Sequence, residues 1–283
     1  MHSKPVSIHE DFLISNCIDR ILGDFGDDVF VKPKILHKFG RTTNANADVK
    51  TTVAKFQSTG VVNEVLATGN SIDMVVSDST ADVGDINSEG HYLDADLIKV
   101  FYPQLVTLNG QTPVALSQPY HRATRGAVAD GTILIPSTNL VGNVYFYDSS
   151  VSTAVSAGVP IVPSATKLMI AAGNNQSEKA ATSLSGRDYW LLSSVYAAID
   201  RQTGSGVTAK VEVEYRAAGG VWLPLGLELQ LRTDGQNQIP LPLNPYRIVP
   251  KDSDVRMVAT ASANGTVVSG YMAGYLALVQ RSL

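Results

Sequence analysis

Cysteine is all but missing from this chain. Cys17 stands alone, so no intrachain disulfide can form and a cysteine-based zinc site is excluded. Charge is scarce too: 17% of the 283 residues are Asp, Glu, Lys or Arg, against roughly 25% in an average soluble domain. The 22 basic residues do not outnumber the 26 acidic ones, and the formal net charge is −4. That balance lacks the basic footprint of a nucleic-acid binder. No apolar run approaches the ~20 residues that span a bilayer. The opening MHSKPVSIHEDF lacks the order of a signal peptide, so a soluble protein made in a cytoplasm is expected. His2, His9, His37, His91 and His121 show no HxH or HExxH spacing. Ser185-Gly186 and Gly204-Ser205-Gly206 lack the frame of a nucleophile elbow or a phosphate loop. Neither a cofactor nor an enzymatic activity is expected.

The space left by charge is filled with Ser, Thr, Asn, Gln, Gly and Ala, a neutral polar surface of the kind that repeated assemblies tolerate. One helix is predicted, over residues 7–22. Ser7 and Glu10 have the spacing of a capping box. Ile14, Cys17, Ile18, Ile21 and Leu22 recur at helical spacing, and Gly23 suits the left-handed residue that ends a helix. Such a stripe has to be covered, either by the chain's own sheet or by a neighbouring subunit. Ile14, Ile18, Ile21 and Leu22 are therefore the candidate interface residues.

Everything after that reads as strand. Val211, Val213 and Tyr215 alternate with Glu212 and Glu214, and Leu225, Leu227, Leu229 and Leu231 alternate with Gly226, Glu228, Gln230 and Arg232. This period of two gives each sheet one core face and one wet face. Ile239, Leu241 and Leu243 alternate with prolines, which places that segment at a sheet edge, and Pro33 limits the strand near Val29–Val31 in the same way. In the cassette Gln104 to Pro136, Asn109-Gly110 between apolar runs predicts a two-residue hairpin with positive φ at both positions. Short strands with Gly, Asn and Pro punctuation predict an all-β fold of two β-sandwich or jelly-roll-like domains, preceded by the short N-terminal helix and arm. The Ser/Ala/Gly/Pro-rich stretch 148–166 is the expected boundary. The expected division is a helix and attachment arm over 1–50, a first sandwich over 51–150 and a second over 165–283.

Three ordered motifs carry a family resemblance. The first is Val75-Val76-Ser77-Asp78-Ser79-Thr80 followed by Tyr92-Leu93-Asp94-Ala95-Asp96. The second is Leu105-Val106-Thr107-Leu108-Asn109-Gly110, with Pro113-Val114, His121-Arg122 and Gly131-Thr132-Ile133. The third is Ala172-Gly173-Asn174-Asn175-Gln176-Ser177, leading through Trp190-Leu191 and 197–200 into Lys210-Val211-Glu212-Val213. In this order and spacing the chain resembles virion structural proteins of tailed bacteriophages, many of them marine, from about Ser71 to Val279. It departs from them in the loop 80–90, where Asp82, Asp85 and Glu89 stand in place of a Gly/Thr-rich run. The resemblance implies a self-associating virion component without enzymatic activity, docked on the capsid as a decoration or head-fibre-type protein. A tail, connector or fibre-adaptor protein is the alternative, and so is a carbohydrate-binding module for host recognition. The implied partners are further copies of the chain and the major capsid or tail proteins, with no nucleic acid and no membrane. A glycan is possible.

Few constellations compete with this reading. Asp85, Asn87, Glu89 and Asp96, with Gly90, approximate the spacing of an EF-hand calcium loop. No helical pattern flanks them, and Asp96 replaces the bidentate Glu, so a solvated acidic loop is the plainer expectation. Asp94 and Asp96 would share one side of a strand, as a glycosidase pair might. Tyr145 with Tyr147, and Tyr271 with Tyr275, fit either core packing or a subunit interface. Trp190 and Trp222, the only tryptophans, are the candidates for sugar stacking.

Overall fold

The computed structural model describes residues 29–30, 33–54, 66–129, 140–186, 188–200, 206–217, 220–278 and 280–281. The helix expected over 7–22, with Ile14, Ile18, Ile21 and Leu22, lies outside them. The fold is all-β, and the described residues contain no α-helix, only a 3₁₀ turn at Pro163–Ala165. The first strands are β1 (Val29–Phe30), β2 (Pro33–Ala45), β3 (Thr51–Thr52), β4 (Ile72–Ser77), β5 (Val83–Leu93), β6 (Lys99–Asn109) and β7 (Val114–Tyr120). Next come β8 (Arg122–Val128), β9 (Val144–Asp148), β10 (Val155–Ser156), β11 (Val159–Pro160), β12 (Thr166–Ile170) and β13 (Ala181–Ser183). The last are β14 (Asp188–Ile199), β15 (Thr208–Ala217), β16 (Leu223–Arg232), β17 (Gln238–Val249), β18 (Ser253–Ala261), β19 (Thr266–Leu278) and β20 (Gln280–Arg281).

Two sheets form a jelly roll. One has the order β2-β19-β14-β17, and the other runs from β3 and β13, which share one edge position, through β18 and β15 to β16. The two edges of the first sheet are the proline-bearing strands: β2 begins at Pro33, and β17 carries Pro240 and Pro242. An edge strand tolerates the missing N–H, as the sequence predicts. Between the sheets lie Trp190, Leu192, Val195, Ala197, Val211, Val213, Leu229, Leu231, Met257, Val268 and Met272, all nearly inaccessible. In β16 the alternation holds, with Leu227, Leu229 and Leu231 buried and Glu228, Gln230 and Arg232 exposed.

The other sandwich pairs sheet β12-β9-β4-β7 with sheet β6-β5-β8. Ile72, Val75, Ile86, Val106, Leu108, Phe146, Leu168 and Ile170 fill it. A register shift between Ile72 and Met74 breaks the period-two alternation of β4. Ile72 and Val75 thus share the core, while Met74 and Val76 join Tyr145, Tyr147 and Met169 in a second cluster with Val155 and Val159 of the β10–β11 hairpin.

The two sandwiches are nested. Thr51 and Thr52 pair with Ala259 and Val258 of β18, and Ala181 to Ser183 pair with Arg256 to Asp254. Met257, between them, donates its N–H to the Ala180 carbonyl and accepts from the Val53 N–H. One strand position of the jelly roll is therefore interrupted, and the chain leaves it at Val53 and returns at Ala180. The expected divisions at 50/51 and 150–165 run across these sheets. Pro33–Ala45 lies beside β19 in the jelly roll, and Thr166–Ile170 lies beside β9 in the inserted sandwich. Gly40 of β2 crosses the junction where a Cβ would come within 2.1 Å of the Val53 carbonyl oxygen and 2.2 Å of the Ala180 nitrogen, so only glycine fits there.

The expected Asn109-Gly110 hairpin is corrected in two respects. Only Gly110 has positive φ, at 56°, and the turn is centred on Gly110 and Gln111, closed by the Asn109–Thr112 bridge. The strands it joins, β6 and β7, belong to opposite sheets, so the turn passes from one layer to the other. The Gln104 side chain ties these two edges together by donating to the Gln118 carbonyl and accepting from Ser117 Oγ and the Gln118 N–H.

Because Val53 and Ala181 occupy consecutive positions against β18, deleting residues 54–180 and joining them directly restores one unbroken strand. The shortened chain is expected to keep a β-rich circular dichroism spectrum and to unfold in one cooperative urea transition at a lower midpoint than the full chain.

Candidate functional site

The joint between the sandwiches is built on one carboxylate. Asp254, in β18 and buried, accepts from Lys99 Nζ at 3.0 Å, from Arg122 Nε and Nη2 at 3.2 and 3.1 Å, from Arg216 Nη2 at 3.0 Å and from Ser183 Oγ at 2.7 Å. Lys99 and Arg122 begin β6 and β8 of the inserted sandwich, whereas Asp254, Arg216 and Ser183 belong to the jelly roll. Burial alone would raise the pKa of Asp254. The charges of Arg122 and Lys99, with the hydrogen bonds from Arg122 and Ser183, overcome this and hold the carboxyl well below the usual range. Arg122 also donates from Nη1 to the Ala67 and His121 carbonyls. Beside it, Glu214 accepts from Lys50 and, through Oε2, from Arg256 Nε and Nη2 at 3.1 and 2.9 Å. The Arg256 guanidinium lies 4.0 Å from the centroid of the Trp222 ring, a cation–π contact.

A cleft of about 470 Å³ opens between the sandwiches. Strand β2 forms one wall with Lys38 and Phe39, and β5, β6 and β8 form the other with His91, Phe101 and Arg125. Two lysines sit at its base, Lys38 reaching across from β2 and Lys179 coming from the returning end of the inserted segment. Lys38 Nζ donates to the Thr124 carbonyl at 3.3 Å and Lys179 Nζ to the Ala123 carbonyl at 3.1 Å. Burial pushes Lys38 down to about 8, partly offset by Glu89.

A second surface is the outer face of the β2-β19-β14-β17 sheet. Cross-strand register places Tyr275 between Ile35 and Leu191, and Tyr271 between Phe39 and Tyr196. Leu191 and Ala277 are buried there among Tyr189, Tyr246, Ile248 and Tyr275. Ile35 is 69% exposed and Phe39 41%. An apolar, tyrosine-rich sheet face of this kind has the composition of a protein interface, aromatic bodies with polar tips.

The residues singled out by sequence scatter over this framework. Asp85 to Gly90, a calcium-loop candidate for which a solvated acidic loop is the plainer expectation, is the interior of strand β5. Alternate carboxylates on a strand stand about 6.7 Å apart and do not wrap an ion. Asp85 accepts instead from Thr107 Oγ1, and Glu89 pairs with Arg125 at 3.2 Å. No group of three His, Cys, Asp or Glu that could hold a metal ion is formed among the described residues. Asp94 closes the turn after β5, its Oδ1 accepting the N–H groups of Asp96 and Ile98, so Asp94 and Asp96 do not pair. Trp190 is fully buried and closed to a sugar, and Trp222 is capped by Arg256. Tyr145 and Tyr147 are core residues, while Tyr271 and Tyr275 face outward. Sequence reasoning missed Asp254, Lys99 and Arg122, because the Asp254–Arg122 pair spans 132 residues and no local pattern marks it.

No protein-family model matches the chain, and no curated protein matches its sequence. Among solved structures, the chain is similar to that of infectious bursal disease virus strain Gx, at 8% identity and a TM-score of 0.21, over 91% of this chain and 79% of that one. A subviral particle of the VP2 protein of the same virus is similar at 10% identity and a TM-score of 0.20, over 90% and 74% of the two chains. Likenesses of that size do not establish a shared fold. No helix among the described residues is long and apolar enough to cross a membrane.

Asp254→Asn leaves Arg122 buried without its counter-charge and Lys99 with only the Asp252 carboxylate, at 3.8 Å, and is expected to lower the urea-unfolding free energy by about 3–5 kcal/mol. A second expectation concerns acid. Burial, reinforced by Lys99 and Lys38, pushes His91 down to about 3, and burial with Arg122 pushes His121 down to about 4. Both lie below the ordinary ~6.5, so the unfolded chain binds up to two more protons than the folded one between these limits. Stability therefore falls as the pH drops from 7 to 5, by at most about 1.4 kcal/mol per pH unit for each ring. Urea midpoints measured across that range should show the slope, and His91→Leu should make it shallower.

Proposed function

We propose that the protein is a non-enzymatic structural component of a tailed-phage virion, present in many copies and docked on the capsid as a decoration or head-fibre-type protein. The observation that carries this reading is the outward aromatic face of the β2-β19-β14-β17 sheet, with Ile35, Phe39, Tyr271 and Tyr275 on strands whose opposite face is the jelly-roll core. An assembling protein needs such a face on a rigid scaffold, repeated by symmetry, so that many modest contacts add up. The Asp254 cluster supports rigidity, since Lys99 and Arg122 of the inserted sandwich meet a jelly-roll carboxylate there. The resemblance of the ordered strand motifs to tailed-phage virion proteins supports a place in the virion, though not one location within it. Of the attachment arm expected over 1–50, Pro33–Ala45 is a jelly-roll strand; in this reading residues 1–27 act as the arm, with Ile14, Ile18, Ile21 and Leu22 as its contact stripe.

The test is assembly. Ile35→Glu, at an exposed position, should change monomer stability by no more than about 0.5 kcal/mol, yet shift the full-length protein toward monomer in analytical ultracentrifugation. Deleting residues 1–27 should leave a folded chain that no longer enters particles. Cryo-EM of mature particles should show many copies on the shell; a few copies at one vertex would favour a tail or connector protein instead.

A further inference from the structure

The cleft between the sandwiches is unlike the rest of the joint. At Asp254 every cation meets a carboxylate, but Lys38 does not. Its ammonium group sits at the cleft wall in a residue only 7% exposed, and its hydrogen bond is to a neutral carbonyl, that of Thr124. No carboxylate lies within ion-pair distance of it among the described residues. Charge buried on those terms is unfavourable unless something neutralises it. Arg125, on the facing wall, is half-exposed and engages Glu89 through one nitrogen, Nη1, at 3.2 Å, which leaves guanidinium N–H groups directed elsewhere. Phe39 and Phe101 are each about two-fifths exposed and both line the cleft. The His91 ring packs edge-on against Phe101, with centroids 5.5 Å apart, and Nδ1 of that buried imidazole has no hydrogen-bond partner. A volume of about 470 Å³ lies within the range of small-molecule sites, which favour domain interfaces and combine apolar walls with a few convergent polar groups.

We propose that this cleft binds a small ligand carrying a carboxylate on an apolar ring, the carboxylate meeting Lys38 and Arg125 while the ring lies against Phe101. Acidic sugars and aromatic carboxylates share this chemistry. A carboxylate placed there supplies the counter-charge that Lys38 lacks, and charge-assisted hydrogen bonds of this kind are the strong ones. The apolar face of the ring covers the part of Phe101 that is exposed, and both walls are already in place, so little ordering opposes binding.

The experiment is calorimetric titration of the full-length protein with glucuronate, benzoate, glucose and inorganic phosphate, repeated on Lys38→Met and Arg125→Ala. Saturable binding of glucuronate or benzoate at one site per chain is expected, with no binding of glucose. Whichever of the two binds more tightly identifies the source as acidic sugar or aromatic acid. Either substitution should weaken that binding at least about tenfold, the effect of losing one charge-assisted bond. Lys38→Met keeps the length of the stem and removes a buried charge, so its melting temperature should be unchanged or higher; Arg125→Ala, at an exposed position, gives an independent reading should the first variant fold poorly. Absence of binding by both carboxylates overturns the proposal. So does binding that survives both substitutions, and so does phosphate binding as tight as that of the carboxylates, since the phenylalanine wall would then contribute nothing.

Discussion

Asp254 decides how the two halves of this molecule sit on each other. Three cations from three strands converge on its two oxygens, and two of those strands, β6 and β8, belong to the inserted sandwich. A buried ion cluster adds little net stability over well-packed apolar side chains. What it adds is a single acceptable geometry, because any rotation of one sandwich leaves charges buried and unpaired. Ser183, which completes the cluster, ends the strand through which the chain returns to the jelly roll. The joint and the point of insertion are therefore locked by the same atoms.

Nesting makes such a lock necessary. The chain enters and leaves the inserted sandwich at one place, with Ala54 and Lys179 bridged opposite each other. A two-stranded connection alone would let the inserted body swing. The Asp254 cluster opposes that motion on one side, and the Lys38 contact to the Thr124 carbonyl opposes it on the other. Between them the sandwiches stand apart and leave the cleft. Rigidity here suits the proposed docking of a sheet face, since a pre-organised surface loses little entropy on docking.

Much of the fold could be read from local pattern. The leucines of β16 and the valines of β15 show which side of each strand is core, and Pro33, Pro240 and Pro242 show which strands are edges, because a missing N–H cannot sit inside a ladder. Two local predictions failed for identifiable reasons. In β4 strict alternation puts Ile72, Met74 and Val76 on one face and Val75 on the other, but a register shift brings Ile72 and Val75 into one core, and one extra residue is enough to do this in a period-two pattern. At Asn109-Gly110 the turn chemistry was read correctly as a reversal, yet the strands joined lie in different sheets, which no two-residue signal can report. The Ser77-Asp78 end of β4 belongs to the resemblance, and its role is now physical: the Asp78 carboxylate accepts the Asn143 N–H and the Tyr145 hydroxyl, pinning the loop before β9.

The candidate sites were legible only in kind. Scarce charge and abundant neutral polar residues pointed away from nucleic acid and toward surfaces, and Tyr271 with Tyr275 already stood on one face of a strand. By itself the sequence determined strand content, edge strands, the inner and outer sides of most strands, and the lack of disulfides, since these follow from side-chain type and a period of two. Tertiary structure alone decided that one sandwich interrupts a strand of the other, that Asp254 gathers Lys99, Arg122 and Arg216, and that Lys38 faces a cleft. Those are contacts between residues far apart in the chain, and their partners are chosen by three-dimensional packing rather than by any neighbouring residue.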